Sequence, residues 1–216
     1  TSLLSNRIIF CHPDQKSKLT KVLFGLSHGW SKSKFYKAKK LEQLQRFASF
    51  NSTEFSLEPD LKESPGCLRD FQTALWILEH CFEVKSLMDC AKLNLFNRQY
   101  LEGINHSYCH IKCLRFLLNL NASSNRISFE NQLLLAKKSK LKDSKKSSAV
   151  ENFMRIFFLH AANLSDFNEM VFQAYEDQGI TLKRPYTNNF YIFRDRLGIQ
   201  GHVDLCANPE LVLEGF

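Results

Sequence analysis

Apolar residues recur along this chain every three or four positions, the spacing of amphipathic helices, and no alternation of apolar and polar residues indicates a strand. In the first half, the pattern predicts helices over residues 13–28, 35–50 and 67–93. Pro13 can open the first helix and Gly29 can end it, because proline suits a first helical turn and glycine suits the position after a last one. Residues 51–65, which contain Ser, Thr and Pro, predict a loop.

Capping residues divide the second half of the chain into further predicted helices. The predicted N-caps are Asn97, Ser128, Ser147 or Ser148, and Ser165. Asp166 falls in the first turn of the last helix, which Gly179 ends, and the remainder is less regular. The pattern therefore predicts an all-α fold with a single compact multi-helix domain over residues 1–216 and a Lys-rich loop at residues 137–147.

Basic charge is concentrated in two Lys-rich segments. The formal net charge is +7, with eight Lys against Asp14 in residues 14–40 and six Lys against Asp143 in residues 137–146. Such clusters favour an anionic membrane or an acidic protein surface as a partner, and they equally suit a solvated exterior. Because Lys rather than Arg dominates both segments, the pattern does not favour nucleic acid.

The seven cysteines have neither a Cys-x-x-Cys pair nor the spacing of a secreted disulfide scaffold. Most of them lie among apolar residues on predicted helices, where a free thiol behaves as a small hydrophobe. No apolar run approaches the roughly 20 residues that a membrane-spanning helix needs. The sequence therefore predicts reduced thiols and an intracellular, reducing location.

The segment Asn105-His-Ser-Tyr-Cys-His110 offers chemistry that few other parts of the chain offer. On a helix, residues four apart lie on one face, so His106 and His110 should present two adjacent imidazoles. Such rings can transfer protons, attack phosphorus or bind a metal, but two histidines packed in a helix interface have the same spacing. Two ligands are too few for a structural zinc site, and Ser107 replaces the Glu of a zincin, so no metal and no cofactor are predicted.

Three further residues are weaker candidates. In His202-Val-Asp204, a carboxylate could fix the tautomer of the imidazole and raise its basicity. Asp166 could orient a catalytic group, although its place at a predicted helix start is explained by capping alone. His160 lies within an apolar helix face and is interpreted as a core histidine.

The segment from Asn105 to His110 resembles the Asn-His-Gly-Leu-Ala-His segment of the phosphodiesterase domain of the SidE family of Legionella effectors. Residues 157–163 and 201–206 are similar to two later segments of that family, in the same order. The resemblance implies an all-α fold that cleaves the pyrophosphate of ADP-ribosylated ubiquitin without a metal and then transfers the phosphoribosyl group. It also implies that His106 is the nucleophile and His110 its neighbour. His202 matches the family's general acid if one residue is deleted before Val203, whereas Gly201 takes that place in an alignment without a gap.

The chain departs from that family where charge should stabilise the reaction. The family's Glu is replaced by the stretch 163–165, with Asp166 the nearest carboxylate, and Ala207 stands near the place of its Arg. The candidate substrate-binding cations are Arg115, Lys137 and Lys138. The predicted function is therefore a phosphodiesterase-like bacterial effector domain, with ADP-ribosylated ubiquitin or another host protein as partner. The alternative is an inert helical module that binds a host protein or an anionic membrane through its Lys-rich surfaces.

Overall fold

The computed structural model describes residues 8–49, 56–93, 95–122, 124–143 and 147–177, and the short stretches 184–185, 190–193 and 196–199. The α-helices in these ranges are α1 (Pro13–His28), α2 (Lys32–Ser49), α3 (Leu68–Phe82), α4 (Arg98–Ala122), α5 (Phe129–Lys138) and α6 (Ala149–Glu176). A 3-10 helix spans Leu87–Leu93. The strands are β1 (Arg184–Pro185), β2 (Phe190–Phe193) and β3 (Arg196–Ile199).

The all-α prediction is confirmed, because helices form the packed core of the described chain. α3, α4 and α5 all pack against α6, and α2 packs against α3. The three short strands, which the sequence pattern did not predict, pair antiparallel in the order β1-β2-β3, with Phe190 opposite Ile199. No helix of the described chain combines the length and the hydropathy needed to cross a membrane.

α6 is one helix of 28 residues, so the predicted break at Ser165 is wrong. Ser148 starts it with a capping box, in which its side chain accepts from the N–H of Glu151 and the Glu151 carboxylate accepts from the N–H of Ser148. The buried stripe continues through the predicted break at helical spacing: Phe153, Phe157, Ala161, Leu164, Phe167, Val171 and Ala174. Burial of this stripe outweighs the local preference of Ser165 for a cap.

The predicted helix over residues 67–93 is wrong in its second half, because α3 ends at Phe82 and a turn and the 3-10 helix follow. Glu83 adopts a left-handed conformation with φ 62° and ends α3, and its N–H donates to the carbonyl of Leu78. Apolar residues continue past this point, so the periodicity concealed the end of the helix. Two other boundaries agree with prediction: α1 spans Pro13–His28, and Ser128 caps α5 by accepting from the N–H of Asn131. α2 begins at Lys32, three residues before its predicted start, and α6 ends at Glu176, before Gly179.

The turn before α3 approaches the backbone of α6 closely at Gly66. Gly66 has φ +73°, and a Cβ at this position would lie 2.4 Å from the carbonyl oxygen of Ala161. The Gly66 N–H donates to the Asp70 carboxylate at 2.6 Å, and the same carboxylate pairs with Arg46 of α2. A buried ion pair thus fixes the turn that sets the distance between α3 and the middle of α6.

Candidate functional site

Three imidazoles meet where α4 crosses α6. The ring centroid of His160 lies 5.3 Å from that of His106 and 4.2 Å from that of His110. His106 is exposed, His110 is half-buried and His160 is buried. We call these three residues the histidine cluster. The structure therefore brings together the two histidines that the sequence singled out and adds a third from a distant helix.

Hydrogen bonds hold the buried end of the histidine cluster in place. Nδ1 of His160 lies 3.1 Å from the hydroxyl oxygen of Ser107, and the Asn163 amide donates to the same oxygen at 3.1 Å. Ser107 is itself buried, with 1% of its surface exposed, although it occupies the α4 stripe otherwise formed by apolar side chains. Ser107 in the apolar stripe of α4 and His160 in the apolar stripe of α6 thus form a buried hydrogen bond with each other.

His110 is the least satisfied member of the histidine cluster. Its Nε2 atom is buried and has no hydrogen-bond partner within the described part of the chain. Burial lowers the pKa of His110 from its usual 6.5, and the charge of nearby His106 lowers it further, because both disfavour the imidazolium form. At neutral pH, His110 is therefore a neutral imidazole against the ring of His160.

A cluster of this kind can move protons between its buried interior and solvent, because each neutral imidazole has one donor and one acceptor nitrogen. His106 is the member that a substrate could reach. Within the described ranges, no group of three or more His, Cys, Asp or Glu side chains is arranged to hold a metal ion. Cys109 and Cys113, one turn from the pair, are exposed free thiols.

The remaining predicted site residues do not join the histidine cluster in the described structure. Asp166 lies six positions after His160 on α6, which places it about 9 Å along the axis and on a different, exposed face. Arg115 donates to the side chain of Asn125 at 2.8 Å. His202 lies outside the described residues.

The two predicted substrate-binding lysines are exposed in the last turn of α5. Lys137 and Lys138 are therefore helical and do not begin a loop as predicted. Residues 144–146 of the predicted loop lie outside the described residues.

Sequence reasoning missed Ser107 and Asn163 and interpreted His160 only as a core residue. His160 is indeed buried, with 9% of its surface exposed, but it also contacts both predicted histidines. The missed signal is that Ser107 and His160 each interrupt an otherwise apolar helical stripe. Two such interruptions in long helices that pack together predict a polar contact between them.

Comparison with known proteins identifies a different family from the one that the motifs suggested. A family model described as GlnD PII-uridylyltransferase matches residues 34–172, well over half of the chain. A bifunctional uridylyltransferase/uridylyl-removing enzyme of Acinetobacter baylyi is 29% identical over 229 aligned positions, covering 100% of this chain and 26% of that protein. The corresponding enzyme of Hydrogenovibrio crunogenus is 30% identical, covering 100% of this chain and 25% of that protein. The chain thus spans about a quarter of these relatives, and no solved structure matches it.

These findings overturn the SidE resemblance and the conclusions that followed from it. The predicted phosphodiesterase-like effector function, with ADP-ribosylated ubiquitin or another host protein as partner, is wrong. The alternative, an inert module that binds a host protein or an anionic membrane, is set aside with it, because the relatives are uridylyltransferase/uridylyl-removing enzymes. The shared motifs were short, and a pair of histidines four positions apart arises readily on any long helix. The substitutions at the family's Glu and Arg positions were the better guide. The intracellular, reducing location stays a prediction.

Proposed function

Because the chain belongs to the GlnD PII-uridylyltransferase family, we propose that it is the helical part of an enzyme that attaches uridylyl groups to a PII-type protein and removes them. The observation that carries the proposal is the family match over residues 34–172, which begins within α2 and ends within α6. These are the helices that form the core, so the similarity covers a packed structural unit rather than a short motif.

The predicted catalytic role of His106 and His110 carries over to this proposal as a role in uridylyl transfer or removal. Both reactions make or break a phosphoester bond, and both require a proton to leave the attacking hydroxyl group or water. His106 is exposed and lies against a buried imidazole that Ser107 holds in place, which supports a proton-transfer role for it. His202 and Asp166 stay predictions for the same reactions.

The test uses the full-length protein of which we propose this chain is a part. The protein is incubated with a PII-type protein and uridine triphosphate, and the attached uridylyl group is followed by mass spectrometry. Removal is followed in a second reaction that starts from the uridylylated product. We expect both activities, and failure to modify any PII-type protein under conditions where a known relative does so would reject the proposal.

His106→Gln then tests the histidine cluster within the same assay. We expect one of the two reactions to slow by about a hundredfold, the lower range for loss of a general acid or base. His12→Gln is the matched control, because His12 is also exposed but lies at the start of α1. Rates equal to those of the control variant would exclude a catalytic role for His106 while leaving the family-level proposal intact.

A further inference from the structure

A groove runs between α2 and the second half of α6, away from the histidine cluster. Its cavity has a volume of about 300 Å³. The lining residues follow one face of each helix: Lys40, Gln43, Leu44 and Phe47 on α2, and Ser165, Asn168, Glu169, Phe172, Gln173 and Glu176 on α6. We call it the α2–α6 groove. It offers apolar side chains beside polar ones, as ligand sites commonly do.

The side-chain amides of Asn168 and Gln43 are linked by a hydrogen bond, and this arrangement leaves the Gln43 carbonyl oxygen without a described donor. The Asn168 amide donates to the backbone carbonyl of Asp70 at 2.8 Å, so its oxygen must point the other way. That oxygen accepts from Nε2 of Gln43 at 2.7 Å, which in turn fixes the orientation of the Gln43 amide. The remaining atom, Oε1 of Gln43, is buried and has no hydrogen-bond partner among the residues that the structure describes. A buried carbonyl without a donor is costly, so this oxygen favours a donor from outside the described residues.

The charged residues that line the groove also favour a hydrogen-bond donor that carries a positive charge. Its charged lining residues are one Lys against two Glu. The cations of this stretch of α2 already have carboxylate partners, in the pairs Lys39–Glu42, Lys40–Glu176 and Arg46–Asp70. Glu169 is exposed and has no ion-pair partner among the described residues. In a chain of net charge +7, this groove therefore keeps an uncompensated carboxylate.

We propose that the α2–α6 groove binds a guanidinium group. A guanidinium is planar and carries five N–H donors, enough to serve both Oε1 of Gln43 and the Glu169 carboxylate, which line the same groove. Its weakly hydrated faces pack well on aromatic side chains, whereas an ammonium group is compact and strongly hydrated. The lining supplies the buried Phe172 and also Phe47, whose ring already has the Arg46 guanidinium 4.9 Å from its centroid. The guanidinium can belong to a free small molecule or to an arginine side chain of a partner segment.

The chain is titrated with N-acetyl-arginine amide by isothermal calorimetry, and N-acetyl-citrulline amide is the neutral control of almost the same shape. We expect the arginine compound to bind at least about tenfold more tightly than the citrulline compound, because a hydrogen bond between charged groups is lost. Glu169→Gln should weaken arginine binding by a similar factor. Glu130→Gln, at an exposed Glu of α5, should leave it unchanged.

Two further arms sharpen the test. Gln43→Met removes the unfilled acceptor and should also weaken arginine binding about tenfold, with the urea midpoint measured alongside to verify folding. A peptide with one arginine between alanines distinguishes the two possible sources of the guanidinium. Tighter binding of the peptide than of N-acetyl-arginine amide indicates a partner segment, and equal binding indicates a free small molecule. Equal binding of arginine and citrulline compounds, an unchanged affinity in Glu169→Gln, or no detectable binding of the arginine compound would each overturn the proposal.

Discussion

Replacing Gly66 by alanine should destabilise the fold through two separate effects. The residue has φ +73°, a conformation that costs an L-residue about 1–2 kcal/mol. The new Cβ would also lie 2.4 Å from the carbonyl oxygen of Ala161, a backbone atom that cannot rotate away. Relief of such a clash requires α6 or the turn to shift, at a typical cost of about 1–3 kcal/mol. We therefore expect Gly66→Ala to lower the free energy of unfolding by about 2–5 kcal/mol.

Urea denaturation of the whole chain, followed by far-ultraviolet circular dichroism, measures this loss from the midpoint at constant slope. Gly103→Ala is the matched control, because Gly103 lies in α4 and a Cβ there would meet nothing within 4 Å. The control variant should be stabilised by about 0.5–1 kcal/mol, since alanine restricts the unfolded chain and favours the helix.

The opposite signs expected for two Gly→Ala substitutions make the comparison independent of the absolute stability of the protein. A Gly66→Ala variant within about 0.5 kcal/mol of wild type, the range of neutral surface changes, would mean that the turn does not approach α6 as described. Destabilisation of both variants to the same extent would show that loss of glycine itself, and not the contact with Ala161, is responsible.

Three further substitutions give separate tests. Asp70→Asn leaves Arg46 as a largely buried, unpaired cation and should lower the urea midpoint by an amount equivalent to about 3 kcal/mol; an unchanged midpoint would contradict the buried pair. Because the folded pKa of His110 lies below 6.5, the unfolded chain takes up a proton first as pH falls, so stability should decrease below about pH 6.5. His110→Gln should flatten that decrease in urea midpoints measured from about pH 7.5 to about pH 5, and an identical slope would refute it. Ser148→Ala should cost about 1 kcal/mol in the same assay through loss of the α6 cap, unless the helix starts elsewhere.

Local sequence signals located most helix starts correctly, because a start depends on the capping side chain itself. Ser128 and Ser148 both accept from backbone N–H groups in the first turn, as their positions before apolar stripes predict. Where tertiary contacts decide, the signals failed. Ser165 has the form of a cap but lies inside α6, because burying Leu164 and Phe167 on one continuous stripe is worth more than a capping bond.

The candidate site was predictable only in part, for a related reason. The spacing of His106 and His110 follows from helix geometry, which is local. Their contact with His160 depends on how α4 crosses α6, and the fixed position of His160 depends on Ser107, fifty-three residues earlier. The motif resemblance failed because it compared short local segments, whereas the family similarity is spread over residues 34–172.

The late position of α6 in the chain determines when the core can form during protein synthesis. It is the last of the helices in the described chain, yet α3, α4 and α5 all pack against it. During synthesis, the apolar faces that the earlier helices pack against α6 therefore stay exposed to solvent until residues up to Glu176 have left the ribosome. Chaperones that shield nascent chains should matter most in this interval, and a premature stop codon within α6 should leave an insoluble product.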